Sequence, residues 1–130
     1  MTPENLMDLA KEAMMRAYAP YSHYYVGAAL LCADGTVYTG CNIENAAYGP
    51  TNCAERTAFF KAVSEGHRAF SAIALCGGME GKIDLLCTPC GVCRQVMREF
   101  CRDDFLIHMT DGQTIETRTL AQLLPMSFAI

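Results

Sequence analysis

The sequence predicts an α/β fold: a three-layer α/β/α sandwich in which helices cover both faces of a mixed five-stranded sheet. Three observations support this fold class. Apolar residues recur at helical spacing in several segments, five short segments near turn residues are typical of strands, and the two kinds of segment alternate along the chain. With 130 residues and no repeat or low-complexity linker, the chain is expected to form one domain spanning residues 1–130.

The N-terminal part is predicted to form a helix followed by a β-hairpin. Thr2-Pro3-Glu4 offers a hydroxyl N-cap, a proline at the first helical position and an acid near the positive end of the helix dipole. Apolar residues continue at helical spacing as far as Ala17. The apolar run Val26–Leu31 suits a strand buried on both faces. An Asp34-Gly35 turn then leads into a second strand over Thr36–Ile43.

The remainder of the chain is predicted to alternate helices and strands. The helices are expected at residues 54–65, with Gly66 as the stop signal, around Val92–Phe100, and as one turn opened by the capping box Thr119-x-x-Gln122. The strands are expected at Phe70–Cys76, at Phe105–Met109 and, after an Asp111-Gly112 turn, at Thr114–Thr117.

The composition restricts the class of protein. A content of 52% hydrophobic and 18% charged residues indicates a compact protein with apolar surface to cover, for which a homo-oligomer is the simplest remedy. We expect no secretory signal and no membrane span. Eight cysteines without an export signal favour a reducing, cytoplasmic location. The net charge of −4 argues against nucleic acid as a partner and favours a small-molecule substrate.

The chain carries the side chains of a catalytic zinc site. Cys53, Cys90 and Cys93 each lie at or near the start of a predicted helix, where the helix dipole lowers the pKa of a thiol. Three protein ligands leave the fourth position of a tetrahedral zinc open for water, and Glu55 supplies an adjacent acid/base group. Three thiolates exceed the charge of Zn²⁺ by one, so Arg56 is expected to donate hydrogen bonds to the sulfurs.

The same cysteines allow other interpretations. Cys87 would complete a structural zinc site with four sulfurs. The run of cysteines also suggests an iron–sulfur site, although Cys101 is poorly spaced for it. Thiol redox chemistry and simple core packing are further possibilities. Arg94 is a weaker candidate than Arg56 for balancing the charge.

Several longer motifs resemble the short, homotetrameric cytidine deaminases. The pattern Cys53-x-Glu55…Pro89-Cys90-x-x-Cys93 matches the three-cysteine form of the zinc nucleobase deaminase signature. The other matching segments are Ala19-Pro20-Tyr21-Ser22, Val26-Gly27-Ala28-Ala29-Leu30, Gly40-Cys41-Asn42-Ile43-Glu44-Asn45-Ala46, Cys53-Ala54-Glu55-Arg56-Thr57-Ala58 and Pro89-Cys90-Gly91-Val92-Cys93-Arg94-Gln95-Val96. Matched segments in this order cover nearly the whole chain.

The resemblance implies a reaction and a set of catalytic groups. It implies a hydrolase of pyrimidine salvage that converts cytidine and 2′-deoxycytidine to uridine and 2′-deoxyuridine with release of ammonia. In this family one Zn²⁺ per subunit is held by thiolates at the positions of Cys53, Cys90 and Cys93. Zinc-bound hydroxide attacks C4 of the base, and the carboxylate at Glu55 shuttles protons.

The resemblance also implies substrate contacts. It places Asn42 and Glu44 on the ribose and an aromatic ring at Tyr24 on the base, and adds Ile43 and Ala54 to the substrate-binding residues. Alternate residues of a strand share a face, so Asn42 and Glu44 are expected to point the same way; from the residues alone they would be solvated strand-end side chains. Phe128 matches an aromatic residue that reaches a neighbouring subunit's site, the alternative being a frayed apolar tail.

Three other functions compete with this one. A nucleic-acid C-to-U editor would share the zinc chemistry, but the acidic balance and the Asn42/Glu44 pair count against it. A structural-zinc or thiol-redox protein would leave Glu55 without a purpose. A deaminase acting on a cytosine-nucleoside antibiotic would differ only in substrate. The histidines, including His67, lack ligand spacing and are expected to be structural or solvated, and Cys32 is expected to fill the core or a loop.

Overall fold

The fold was obtained as a computed structural model that describes residues 1–130. It contains four helices and five strands. In chain order the elements are α1 Pro3–Met14, β1 Tyr24–Cys32, β2 Val37–Cys41, α2 Ala54–Ser64, β3 Phe70–Met79, α3 Gly91–Phe100, β4 Leu106–Thr110, β5 Ile115–Thr119 and α4 Leu120–Leu123. No helix combines the length and the apolar composition needed to cross a membrane.

The five strands form one mixed sheet in the order β2-β1-β3-β4-β5. Strands β3 and β4 are parallel because α3 carries the chain across the sheet between them, and all other neighbours are antiparallel. The predicted mixed five-stranded α/β sheet is therefore confirmed. The hairpin turn at Asp34-Gly35 and the second one at Asp111-Gly112 are also confirmed.

Two apolar clusters pack against opposite faces of the sheet. Alternate residues of a strand point to opposite faces, so Ala28 and Leu30 of β1 join the cluster beneath α2 and α3, whereas Ala29 joins the cluster beneath α1. Phe59 of α2 is fully buried in the first cluster and Leu6 of α1 lies in the second. This arrangement is the expected three-layer sandwich.

The first helix is shorter than the helical spacing predicts. It ends at Met14 instead of continuing to Ala17. The chain leaves the helix because Tyr18 forms backbone hydrogen bonds elsewhere. Its N–H donates to the carbonyl of Asn42 at 3.0 Å, and its carbonyl accepts from the N–H of Glu44 at 2.8 Å. These long-range bonds compete with the next turn of helix and bring the segment after α1 beside the segment after β2.

The other strand boundaries differ from the predicted ones as well, most clearly at the ends of β2 and β3. β2 ends at Cys41 instead of Ile43, because Ile43 exchanges backbone hydrogen bonds with Asn52, which precedes α2. β3 continues beyond Cys76 through two glycines to Met79. Gly78 allows this extension because a Cβ there would lie only 1.9 Å from the carbonyl oxygen of Lys82, where the chain folds back on itself.

Candidate zinc and nucleoside site

The starts of α2 and α3 bring the three predicted sulfur ligands together. Cys53 is the N-cap of α2, Cys90 is the N-cap of α3, and Cys93 lies in the first turn of α3. The Sγ atoms of Cys53 and Cys90 are 3.9 Å apart, and those of Cys90 and Cys93 are 3.5 Å apart. All three sulfurs lie within 4.8 Å of one another, so one ion could contact them all.

The surroundings of the sulfurs favour a negative charge on Cys53. The pKa of Cys53 is lowered to about 5, chiefly by a hydrogen bond from the thiol of Cys93 and then by Arg56, whose Nη2 donates to the Cys53 sulfur at 3.1 Å. The pKa of Cys93 is raised because its proton is shared with Cys53 and because the thiol is buried. A divalent cation would displace that proton, and metal binding would therefore release protons to solvent.

The positions of the sulfur atoms fit a zinc site with three protein ligands and do not fit a site with four sulfurs. Zn²⁺ favours thiolate ligands in a tetrahedral arrangement, and three protein ligands leave one position open. Cys87 does not belong to the cluster of ligand atoms within 4.8 Å of one another. Cys101 is the C-cap of α3, about 16 Å along the helix from Cys90. A structural zinc site or an iron–sulfur site would need a fourth sulfur, and neither Cys87 nor Cys101 is placed to supply it.

Glu55 is a buried carboxyl beside the sulfur cluster. It lies in the first turn of α2 and is only 4% exposed. Burial is the main reason that its pKa is raised to about 7, and the charge of the adjacent Cys53 thiolate acts in the same direction. A carboxyl with a pKa near neutrality can both take up and release a proton at physiological pH, which is the property required of a proton shuttle.

A cavity of about 400 Å³ opens above these groups. Its volume lies within the range of sites for small molecules. It brings together seven of the predicted site residues: Tyr24, Asn42, Glu44, Cys53, Ala54, Glu55 and Cys90. It is also lined by six residues that were not predicted: Val26, Thr51, Asn52, Leu86, Cys87 and Thr88. Asn52 and Thr88 lie next to the metal-ligand motifs and could have been found from that adjacency, whereas the others come together only in the fold.

Asn42 is fixed in the cavity wall by backbone contacts. Its Oδ1 accepts from the N–H of Val26 at 2.9 Å, and its Nδ2 donates to the carbonyl of Tyr24 at 2.8 Å. An amide has two N–H donors and two acceptor lone pairs, so one of each remains for a ligand. The expected strand face does not exist, because β2 ends before Asn42, but Asn42 and Glu44 line the same cavity.

Glu44 is held by the loop between α1 and β1. Its Oε1 accepts from the N–H groups of Tyr21 and Ser22 at 3.0 and 3.1 Å, and the Ser22 hydroxyl donates a short hydrogen bond to Oε2. The Ser22 hydrogen bond is the main reason that the pKa of Glu44 lies below its ordinary value. A carboxylate has about four acceptor sites, so capacity for a ligand hydroxyl remains.

Two of the predicted substrate-binding residues do not line the cavity, and one of the two candidate arginines does not contact the sulfurs. Ile43 does not line the cavity and pairs through its backbone with Asn52. Phe128 does not line the cavity of its own chain; the residue is 69% exposed and its carbonyl accepts from Gln95 Nε2 at 3.0 Å. Arg94 donates to the backbone carbonyls of Pro89 and Leu123, so only Arg56 of the two arginines bonds to a sulfur.

Comparison with known proteins identifies the family that this site belongs to. A sequence model described as the cytidine and deoxycytidylate deaminase zinc-binding region matches residues 1–109. The chain belongs to the cytidine and deoxycytidylate deaminase family. Zn²⁺ is the family's metal, and the cluster of Cys53, Cys90 and Cys93 is placed to bind it.

Individual members of this deaminase family resemble the chain over nearly its full length. A cytidine deaminase of Sporosarcina psychrophila is 52% identical over 130 residues, covering 99% of this chain and 93% of its own. The crystal structure of a cytidine deaminase from Burkholderia pseudomallei matches with a TM-score of 0.91 at 44% identity, covering 98% of this chain and all of its own. A blasticidin-S deaminase of Bacillus cereus is 29% identical, covering 95% of this chain and 89% of its own.

Proposed function

We propose that this protein hydrolyses cytidine and 2′-deoxycytidine to uridine and 2′-deoxyuridine with release of ammonia. The observation that carries the proposal is that a buried carboxyl, Glu55, lines the same cavity as two sulfurs, of Cys53 and Cys90, which form with Cys93 a cluster suited to zinc. The similarity to proteins named cytidine deaminase over nearly the full length supports the same reaction.

The chemistry divides between the metal and Glu55. When bound by Cys53, Cys90 and Cys93, zinc supplies a Lewis acid that lowers the pKa of a coordinated water toward neutrality. Glu55 accepts a proton from the attacking water and passes it to N3 of the cytosine ring, which makes C4 electrophilic. After oxygen adds to C4, Glu55 takes the second water proton from the new C4 hydroxyl and delivers it to the departing amine, so that the C4 carbonyl forms as the C4–N bond breaks. One water is consumed, and ammonia and the uracil nucleoside are released.

Arg56 offsets the excess negative charge of the metal site. Three thiolates leave one negative charge in excess of Zn²⁺, and the Arg56 guanidinium donates to the Cys53 sulfur at 3.1 Å. A hydrogen bond to a thiolate reduces the electron density that the sulfur gives to the metal. With that charge offset by Arg56, a zinc ion held by the three thiolates would remain a sufficiently strong Lewis acid.

The sugar is proposed to bind at Asn42 and Glu44. Both side chains are fixed by backbone groups before a ligand arrives, so little side-chain entropy is lost on binding. The remaining carboxylate acceptor of Glu44 suits a ribose hydroxyl. Tyr24 is proposed to place its ring against the base, and Ala54 is proposed to make a close contact beside Glu55. Ile43, which does not line the cavity, is proposed to act only by positioning Asn42 and Glu44 through its backbone pairing with Asn52.

The cavity favours a nucleoside over a nucleotide or an oligonucleotide. None of its lining residues is a lysine or an arginine, whereas Glu44 and Glu55 are acidic. A phosphate group would therefore enter without a cationic partner and close to a carboxylate. The protein's net charge of −4 also opposes nucleic-acid binding, because nucleic acids are negatively charged.

We further propose that the protein acts as a cytoplasmic homotetramer. Phe60 and Val92 expose apolar surface on α2 and α3, and this surface continues toward the C-terminal segment through the Gln95–Phe128 contact. Exposed apolar patches of this kind are typical of subunit interfaces. In such an assembly Phe128 would reach a neighbouring subunit's cavity. The eight cysteines form no disulfide, as suits a reducing compartment.

An ultraviolet assay on a panel of substrates tests the proposed reaction. We expect loss of cytosine absorbance with cytidine and deoxycytidine, much slower loss with CMP, and none with a cytosine oligonucleotide, in a protein that carries zinc. Blasticidin S belongs in the panel because one relative is named for it. Turnover of the oligonucleotide, or of blasticidin S alone, with no turnover of nucleosides would overturn the proposal. Light scattering during size exclusion tests the tetramer independently.

A further inference from the structure

A second group of metal-ligating side chains lies at the opposite end of the sheet from the nucleoside cavity. The Sγ of Cys32, a carboxylate oxygen of Asp34 and a ring nitrogen of His67 all lie within 4.8 Å of one another. Cys32 ends β1, and the strand rises about 20 Å between Val26, at the cavity, and this cysteine. The group is therefore separate from the sulfur cluster.

The backbone already holds Asp34 and His67 in place. Asp34 Oδ1 accepts from the N–H of Thr36 in the hairpin turn at 3.0 Å, which leaves Oδ2 directed at His67 Nδ1, 3.7 Å away. The N–H of His67 donates to the carbonyl of Ala62 at the end of α2, and its ring packs edge-on against Tyr38 at a centroid distance of 5.2 Å. Two of the three ligands are thus oriented without a metal.

The donor set matches the preferences of zinc. Zn²⁺ binds thiolate sulfur at about 2.3 Å, imidazole nitrogen at about 2.0–2.1 Å and carboxylate oxygen at about 2.0–2.2 Å, so tetrahedral ligand atoms lie roughly 3.3–3.6 Å apart. The 3.7 Å between Asp34 and His67 is close to that spacing. We propose that Cys32, Asp34 and His67 form a second zinc site, with its fourth position open to water.

The charges and the exposure of Cys32, Asp34 and His67 suit a metal site better than a catalytic triad in which Cys32 would be the nucleophile. Burial, and then the charge of Asp34, raise the pKa of Cys32, so its thiol is not activated for attack at neutral pH. A divalent cation offsets both anions at once. The side chains of Asp34 and His67 are 60% and 23% exposed, so an ion can enter from solvent.

A metal at this site would tie the β1–β2 hairpin to the end of α2. His67 follows α2 closely, whereas Cys53 caps its other end, so α2 would be fastened to zinc at both termini. An ion that binds only the folded chain stabilises it, and we expect the melting temperature to rise when zinc is added beyond one equivalent. Deamination should change little, because the site is remote from the cavity.

Calorimetric titration of Zn²⁺ into the zinc-loaded protein tests the proposal. We expect one further ion per chain, with affinity reduced at least about tenfold in Asp34→Asn and in His67→Gln. Asn can still accept the hydrogen bond from Thr36, so Asp34→Asn removes the carboxylate and keeps the turn. The matched control is Asp111→Asn, because Asp111 has the same role in the other hairpin turn without a cysteine or histidine beside it.

Co²⁺ provides a direct test of the sulfur ligand. Added to the zinc-loaded protein, it should give sulfur-to-cobalt charge-transfer absorption that is lost in Cys32→Ala and kept in Cys101→Ala, another buried cysteine. Failure of the wild-type protein to bind a second ion would overturn the proposal. Binding that survives unchanged in both Asp34→Asn and His67→Gln, or a cobalt band that persists in Cys32→Ala, would overturn it as well.

Discussion

Replacing Gly40 by alanine should damage the zinc site from a distance. Gly40 lies in β2 directly beneath the first turn of α2, and a Cβ at this position would be 2.4 Å from the carbonyl oxygen of Ala54 and 2.7 Å from the N–H nitrogen of Ala58. Both neighbours are helix backbone and cannot rotate aside. The start of α2 would have to retreat by about 1 Å to restore an ordinary contact of 3.4 Å.

That displacement should reduce both stability and turnover. Overpacking a well-packed core costs about 1–3 kcal/mol of unfolding free energy. The first turn of α2 carries Cys53 and Glu55, whereas Cys90 and Cys93 belong to α3, so the retreat separates the ligands and moves the proton shuttle. A misplacement of about 1 Å at a reacting group can cost about 10²-fold in rate.

Urea unfolding, zinc content and steady-state kinetics measure these effects. The matched control is Gly49→Ala, because a Cβ there would have no heavy atom within 4 Å and the residue lies in a loop. We expect Gly40→Ala to lose about 1–3 kcal/mol of unfolding free energy and about 10²-fold in kcat, and we expect Gly49→Ala to retain both properties. If Gly40→Ala kept wild-type activity and stability, the contact between β2 and α2 would not position the site.

Three further predictions concern single side chains of the site. Glu55→Gln should retain zinc but lose about 10²–10⁴-fold in kcat, because an amide cannot shuttle protons; normal turnover would remove Glu55 from the mechanism. Glu44→Ala should raise KM for nucleosides while the zinc content, measured in parallel, stays at the wild-type level; loss of zinc would show that the residue supports the metal instead. Arg56→Gln should weaken zinc affinity about 10–100-fold in a chelator competition, since the thiolate charge is no longer offset, and unchanged affinity would contradict that role.

The sequence alone determined the layered fold because the local signals agree with it. The capping box at Thr119, the turn at Asp34-Gly35 and the continuous apolar run through β1 each have one favourable local structure, and the structure contains all three. The sulfur ligands were also predictable, because Cys53, Cys90 and Cys93 lie in short motifs at helix starts. The resemblance of those motifs to cytidine deaminases then indicated the reaction.

Only the tertiary structure decided where elements end and which distant residues meet. Met14 ends α1 because Tyr18 finds backbone partners beyond β2, a contact that no local pattern encodes. The cavity wall joins residues from segments far apart in the chain, such as Val26 and Leu86. His67 was expected to be structural or solvated, yet the hairpin brings Asp34 and Cys32 to it. Short sequence motifs specify which reactive side chains are present. The distances between those side chains, which make them a binding or catalytic site, depend on how the whole chain packs.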